Sequence, residues 1–320
     1  MKKKLIRYFP ESDYRMAWYL ILLIVIASLL LFLFLLSIGA CSYFVHLLTH
    51  PIRYERDFCL KTDLDKKVID EEVLTWKKED CPISLKDGYT LQGDYYPGTG
   101  KGMVIFAHGY TWTREGSLKY AKLFHALGYS LYLYDERGHG DNKRTKVTLG
   151  YKESEDLHQV VQYFRKKYGK DWKIGLHGES MGGATVLLEM KHQEDDLSFV
   201  VADSPFASMK ELMRYQITKY HLPSFLADSC SPLLKLTCGF SYKDVEPIES
   251  VRQSKVPLLL IQGDKDTFIP PNHTKEIYEA RKERTTLHCF PNVDHTDSYH
   301  SYPKEYEETE KSFLEENGLF

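Results

Sequence analysis

The 320-residue sequence has almost no excess of either charge, with 42 Lys and Arg against 45 Asp and Glu. No tract dense in Lys or Arg follows the N-terminus, so nothing in the composition favours nucleic-acid binding. The six cysteines include no C-x-x-C pair, which argues against a zinc site and a small disulfide scaffold. With 43% hydrophobic and 27% charged residues, the composition also excludes a disordered or low-complexity chain.

Charged residues are absent from one long stretch, Met16 to Ile52. Within it, residues 17–36 are nearly all Leu, Ile, Val and Phe, and twenty helical residues span roughly 30 Å, the thickness of a bilayer's hydrocarbon core. Trp18 and Tyr19 stand at its start, where aromatic side chains favour the headgroup region. A buried globular helix is rarely apolar on every face. The stretch therefore predicts a transmembrane signal-anchor helix over residues 16–40.

The flanking charges predict the orientation of this helix. Five basic residues precede it, namely Lys2, Lys3, Lys4, Arg7 and Arg15. Only Arg53 and Arg56 follow within about twenty residues, so residues 1–15 are expected to form a cytoplasmic tail of a single-pass cell-membrane protein whose bulk is extracytoplasmic. The alternative is a lipoprotein anchored at Cys41, because residues 38–41 resemble a lipoprotein cleavage box, although the apolar run is longer than a usual signal core.

The remainder of the chain divides into a stalk and one folded domain. Residues 41–66 show no sustained periodicity and are interpreted as the stalk, and residues 67–320 form the domain. Asp87-Gly88, between two strand-like segments, predicts an opening antiparallel hairpin. Beyond it, apolar runs alternate with helical stretches, which predicts an α/β fold whose mostly parallel sheet carries helices on both faces. The predicted strands cover residues 103–107, 130–134, 173–176, 199–202, 258–262 and 286–290.

One interval, about 205–252, is too long for a simple crossover between strands and predicts a helical cap insertion. Met209, Met213 and Ile217 recur in it at helical spacing. The interval leaves the C-terminal end of a strand, where open α/β sheets bind ligands, so these side chains are expected to line a substrate pocket. The alternative is ordinary packing against the domain.

The strongest chemical motif is Gly178-Glu179-Ser180-Met181-Gly182. It follows a predicted strand and precedes a helical stretch, the context that a nucleophile elbow requires. The turn strains the serine backbone, and side chains two residues to either side would collide, which accounts for the glycines. The motif predicts that Ser180 is a nucleophile exposed at a helix N-terminus.

Together with its neighbours, this motif resembles the α/β-hydrolase superfamily, in particular its serine aminopeptidase-like and lysophospholipase-like branch. The resemblance extends over roughly residues 70 to 318 and depends on the order of five segments. These are residues 106–110 (FAHGY), 135–140 (DERGHG), 178–182 (GESMG), 262–270 (QGDKDTFIP) and His295.

The resemblance implies an oxyanion hole formed by the backbone N–H groups of Tyr110 and Met181. It also implies that Asp266 is the acid of a catalytic triad, with Asp264 as the alternative, because Gly263 and Pro270 frame it as in the family. His295 would be the base, since it follows the last predicted strand by four residues, whereas His300 lies too near the C-terminal helix. Relatives often have glycine at the position of Asp294, which leaves the loop shape open.

These residues predict a serine hydrolase that cleaves carboxylic esters of small molecules through an acyl-enzyme intermediate. Neither a metal nor an organic cofactor is expected, and the expected partners are the ester or acyl substrate and the membrane, not nucleic acid. One alternative is a serine aminopeptidase, which would need an acidic group in the insertion to hold a free amine; Glu211, Asp228 and Glu246 are the candidates. Another is a non-catalytic surface protein that retains the fold.

Overall fold

The computed structural model describes residues 11–100, 102–192 and 197–319. The basic residues Lys2, Lys3, Lys4 and Arg7, on which the predicted orientation partly depends, lie outside the described residues. The described strands are β1 (Glu79–Asp80), β2 (Ile83–Ser84), β3 (Thr90–Leu91), β4 (Gly93–Tyr96), β5 (Gly102–Ala107), β6 (Ser130–Tyr134), β7 (Lys173–Glu179), β8 (Phe199–Asp203), β9 (Leu258–Gly263) and β10 (Thr285–Phe290).

The α-helices that the structure describes are α1 (Glu11–Thr49), α2 (Arg56–Asp65), α3 (Leu118–Ala126), α4 (Tyr151–Tyr168), α5 (Met181–Glu189), α6 (Met209–Thr218), α7 (Phe225–Asp228), α8 (Cys230–Cys238), α9 (Pro247–Gln253), α10 (Pro271–Ala280), α11 (Ser298–Ser301) and α12 (Pro303–Glu316).

Eight strands form one sheet in the order β1-β4-β6-β5-β7-β8-β9-β10. β4 pairs antiparallel with β1 and β6, and every pair from β6 to β10 is parallel. The predicted hairpin is present as β2 and β3, and its second arm continues into β4, which joins the large sheet. The α/β prediction is confirmed, because the apolar runs form the parallel strands within a few residues of their predicted bounds.

Helices cover both faces of the sheet, as predicted. One apolar core contains residues of α4, α5, α9 and α10, including Phe164 and Ile277. The other contains residues of α3 and α12, including Phe124 and Phe313. Strands β5, β6, β8 and β9 are buried along their whole length, which explains their continuous apolar sequences. The interval between β8 and β9 is helical, containing α6, α7, α8 and α9.

The apolar stretch near the N-terminus forms the long helix α1. It is long and apolar enough to cross a membrane, and within the described residues it is the one helix that is. Its side chains from Tyr14 to Ala40 are exposed in the isolated chain. The helix continues nine residues beyond the predicted end at residue 40, as far as Thr49.

The interpretation of residues 41–66 as a stalk is wrong, because the structure packs them against the domain. Val45 and Thr49, in the last turns of α1, are 4% and 1% exposed. Val45 belongs to an apolar cluster that includes Leu234 of α8, and the Thr49 carbonyl oxygen accepts the backbone N–H of Val147 at 2.9 Å. In α2, Cys59 is completely buried. The signal that sequence reasoning missed is this short helical spacing of Cys41, Val45 and Thr49 at the end of a much stronger apolar pattern.

Candidate active site

Ser180 lies in a tight turn between β7 and α5. Its backbone has φ 55° and ψ −112°, in a region that a residue with a Cβ rarely adopts. A Cβ on Gly178 would lie 2.2 Å from the carbonyl oxygen of Gly182, and a Cβ on Gly182 would lie 2.1 Å from that of Ala107. Only glycine fits at both positions, so the motif folds into the sharp turn that presents Ser180 at the N-terminus of α5.

Three side chains form a chain of short polar contacts at this turn. Ser180 Oγ lies 2.9 Å from His295 Nε2, and His295 Nδ1 lies 2.6 Å from Asp266 Oδ2. The Asp266 side chain is fully buried, and its Oδ1 accepts hydrogen bonds from the backbone N–H groups of Phe268 and Ile269 at 2.8 and 2.7 Å. These bonds fix the carboxylate so that it faces the imidazole. The structure thus brings together Ser180, Asp266 and His295 from three separate loops.

The alternative acid and base lie outside this chain of contacts. Asp264 Oδ1 accepts a hydrogen bond from the backbone of Asn292 at 2.6 Å, which is a turn-forming role. His300 lies on the same cavity as Ser180 but belongs to α11. Asp294, where relatives often have glycine, accepts hydrogen bonds from the N–H groups of Thr267 and His295 at 2.8 Å each. Its carboxylate therefore ties the loop of the histidine to the loop of the buried acid.

The turn after β5 brings Tyr110 beside the elbow. Among the described residues, the backbone N–H groups of Tyr110 and Met181 donate to no protein acceptor. The buried His108 supports the turn, because its Nε2 accepts the N–H of Glu136 at 2.9 Å and its Nδ1 contacts the Gly109 carbonyl at 2.8 Å. Burial lowers the pKa of His108, which favours the neutral ring that this arrangement requires. The ring is therefore structural.

Ser180 and His295 open onto a cavity of about 460 Å³. A larger cavity of about 720 Å³ lies elsewhere, beside residues 50–53 and 144–148, and contains no member of the Ser-His-Asp chain, so we assign the site by its chemistry. The smaller cavity is lined in part by charged side chains, including Asp63, Lys66, Lys119 and Glu179. Across the described parts of the chain, no group of three or more His, Cys, Asp or Glu side chains is arranged to hold a metal ion.

The expectation that Met209, Met213 and Ile217 line the substrate pocket is wrong for this cavity. Met209 is fully buried and Met213 is 6% exposed, and both belong to an apolar cluster with Met181. Ile217 packs against the same cluster. The helical face that they form is the core of the cap, which corresponds to the alternative of ordinary packing.

The charged residues of the cavity come from elements that sequence reasoning had not connected. Lys119 Nζ lies 2.6 Å from Glu179 Oε2. Burial lowers the pKa of Lys119, but the nearby Glu179 and Asp63 carboxylates outweigh it and the pKa is raised, so the ammonium stays charged. Asp63, from α2, is 7% exposed, and its Oδ2 has no hydrogen-bond partner among the described residues. Burial raises the pKa of Asp63 to about 6.

The strand order, the helices on both faces and the strand-elbow-helix turn define an α/β hydrolase. The family profile described as serine aminopeptidase, S33, matches residues 98–237. The uncharacterized protein YqkD of Bacillus subtilis is 34% identical over 232 residues, which cover 71% of this chain and 76% of that protein. The chain therefore belongs to the serine aminopeptidase S33 family of α/β hydrolases, as its motifs predicted.

Two other similarities agree with this assignment. The uncharacterized membrane protein YNL320W of Saccharomyces cerevisiae is 26% identical over 182 residues, covering 55% of this chain and 57% of that protein. The solved esterase Pf2001 of Pyrococcus furiosus superposes with a TM-score of 0.62 at 23% identity, over 78% of this chain and 96% of the esterase. At that identity the structural likeness supports the fold and leaves the substrate open.

Proposed function

We propose that this α/β hydrolase is a serine esterase that cleaves small carboxylic esters through an acyl-enzyme intermediate. The observation that carries the proposal is the unbroken chain of contacts from Ser180 Oγ through His295 to the buried Asp266, at 2.9 and 2.6 Å. A serine hydroxyl is too weakly acidic to attack an ester at neutral pH, so an adjacent imidazole has to accept its proton. The geometry supports His295 as that base.

In the proposed reaction, Ser180 Oγ attacks the ester carbonyl carbon while His295 Nε2 takes the hydroxyl proton. The N–H groups of Tyr110 and Met181 stabilise the resulting oxyanion, and each such donor typically contributes about 2.7–4 kcal/mol to the transition state. His295 then gives its proton to the leaving alcohol as the acyl-enzyme forms. Water, activated by the same imidazole, releases the acid. Asp266 holds the imidazole tautomer and stabilises the imidazolium.

The topology that we propose is a retained single-pass anchor with the catalytic domain outside the cytoplasm. The continuity of α1 from Glu11 to Thr49, with its last turns packed on the cap, supports retention. The membrane designation of the yeast relative agrees with it. Cleavage and lipidation at Cys41 remain the alternative, and an N-terminal lipid on Cys41 of the mature protein would favour it.

The test uses the full-length protein and a fluorophosphonate probe beside a p-nitrophenyl ester series. Ser180→Ala should abolish labelling, and Asp266→Asn or His295→Ala should lower kcat by about 10⁴-fold. The matched controls are Asp264→Asn, in the loop of Asp266, and His300→Ala, in α11 beside the same cavity; both residues lie outside the contact chain, and both variants should retain most activity. Undiminished labelling of Ser180→Ala would refute the assignment.

A second candidate activity, aminopeptidase, is favoured by one observation. The acidic residues considered for it in the insertion already have partners, since Asp228 and Glu211 bind Arg214 at 2.6 and 3.2 Å and Glu246 accepts from Ser208. Asp63, in contrast, lines the cavity of Ser180 and has an unpartnered carboxylate oxygen among the described residues. The charged amine of a peptide substrate in this cavity would be attracted by the Asp63 carboxylate.

The two activities are separated by their dependence on a substrate amine. Asp63→Asn should raise KM for aminoacyl-p-nitroanilides about tenfold or more and leave neutral p-nitrophenyl esters nearly unchanged. Asp297→Asn, which changes another acid of the same cavity, is the control. If aminoacyl substrates are not cleaved by the wild type, the aminopeptidase activity is excluded.

A further inference from the structure

The helix α1 is longer than a bilayer requires. From Met16 to Leu48 it carries no charged side chain, and at 1.5 Å per residue this stretch measures about 50 Å, against about 30 Å for the hydrocarbon core and 40–45 Å for a bilayer with its headgroups. Arg15, at its start, favours the cytoplasmic headgroups. The last turns of α1 therefore emerge into the opposite headgroup layer.

The cap packs directly on those last turns. Cys41 Sγ lies 3.5 Å from Ser229 Oγ, at the junction of α7 and α8. Val45 and Leu48 belong to the same apolar cluster as Leu234 of α8. Cys41 is five residues beyond Leu36, the end of the strongest apolar run, which corresponds to about 7 Å along the helix. The α7–α8 junction thus lies at the height of the headgroup layer.

This part of the cap also exposes large apolar side chains, which we call the docking surface: Tyr220, Leu222 and Phe225. Tyr220 is 76% exposed, Leu222 46% and Phe225 66%. Lys219 places a positive charge beside Tyr220 in the sequence. Aromatic and apolar side chains beside lysines are typical of segments that bind anionic membrane surfaces.

We propose that the docking surface inserts into the headgroup layer of the same bilayer that α1 crosses. The inference depends on the retained anchor of the proposed topology, and it does not depend on the ester chemistry. Insertion of the docking surface would also hold the catalytic cavity at a fixed distance from the bilayer. The Tyr110 hydroxyl donates to the carbonyl oxygens of Leu47 and Leu48 at 3.2 and 2.9 Å, so one side chain connects the proposed oxyanion turn to the end of the membrane helix.

The test places a photoreactive p-benzoylphenylalanine at Tyr220 or Phe225 of the full chain in nanodiscs that contain alkyne-labelled phosphatidylcholine and phosphatidylglycerol. Leu30, inside the apolar span, is the positive control. Tyr163 is the negative control, because it is 41% exposed near the C-terminal end of α4, at the sheet edge opposite the catalytic turn. Illumination should attach lipid at Tyr220 and Phe225 several-fold more than at Tyr163.

Each other outcome contradicts a defined part of the inference. Lipid attachment at Leu30 with only the Tyr163 level at Tyr220 and Phe225 would mean that α1 is an anchor and the cap stays clear of the bilayer. An adduct of twice the chain mass at Phe225 would mean that a second copy covers the surface. A mature chain that has lost Leu30 would overturn both the anchor and the docking. Fluorophosphonate labelling of the same samples reports separately on the ester chemistry.

Discussion

Arg56 ties the segment after α1 to the hydrolase domain. Its Nη2 lies 3.1 Å from Asp94 and its Nη1 2.9 Å from Asp141, and it also binds Glu115. The Asp94 and Glu115 side chains are 3% and 7% exposed, whereas that of Arg56 is 25% exposed. Arg56→Met keeps much of the apolar stem and removes the charge, so the buried carboxylates lose a partner.

The loss of unfolding free energy in Arg56→Met depends on the ion-pair partners that the buried carboxylates keep. Removing one partner of a fully buried ion pair costs about 3–5 kcal/mol. Here Asp94 keeps Lys78 at 2.8 Å and Arg114 at 3.3 Å, and Arg56 is partly solvated, so the loss should be about 2–3 kcal/mol. For a domain of this size each kcal/mol lowers Tm by about 2–4 °C. Arg56→Met should therefore lower Tm by about 5–10 °C.

The assay is thermal unfolding of the full chain in detergent at neutral pH. Arg252→Met is the matched control, because Arg252 pairs with Glu249 and both side chains are about half exposed. Such a surface pair contributes at most about 1 kcal/mol. If the two variants unfold at the same temperature, the Arg56 ion pairs add no more stability than a surface pair and the argument is refuted.

Two further predictions concern the site. Gly182→Ala should abolish p-nitrophenyl ester hydrolysis, because its Cβ would lie 2.1 Å from the Ala107 carbonyl oxygen; full activity would contradict this packing. Asp63→Asn should gain stability relative to wild type as pH rises from 4 to 7. The Asp63 pKa is raised to about 6 in the folded state and is about 3.9 in the unfolded chain, so the folded wild type binds the proton more tightly. The wild type therefore loses stability as this proton leaves, whereas the amide side chain of the variant does not titrate. A Tm difference that does not vary with pH would refute the buried-carboxylate argument.

Much of the site was predictable because its determinants are local. The glycines at 178 and 182 are required by contacts within one turn, so their spacing alone indicates a strained serine between a strand and a helix. The parallel strands are predictable for a similar reason, since burial on both faces demands uninterrupted apolar runs such as that of β9. Asp266 and His295 needed the family resemblance, because nothing local brings their two loops together.

The features that sequence reasoning missed depend on which helix faces pack against each other in the folded chain. Helical spacing shows that Met209 and Met213 share a face of α6, but periodicity does not say whether that face meets a substrate or the side chain of Met181. Likewise, Asp63 is an ordinary acid within a polar helix until the docking of α2 buries it beside Lys119.

The two errors have one cause, the segment that joins α1 to the domain. The last turns of α1, which lead into this segment, pack with the core of the cap. The methionines of α6 therefore have protein neighbours where a ligand was expected. Helix α2, which belongs to this segment, contributes Asp63 to the cavity of Ser180. The residues after α2 contribute Lys66 and Val68 to the same cavity. The connection between α1 and the domain is thus part of the wall of the cavity at Ser180. Substrate preference in this chain should accordingly change with substitutions in residues 63–68 and be less sensitive to substitutions on the buried face of α6.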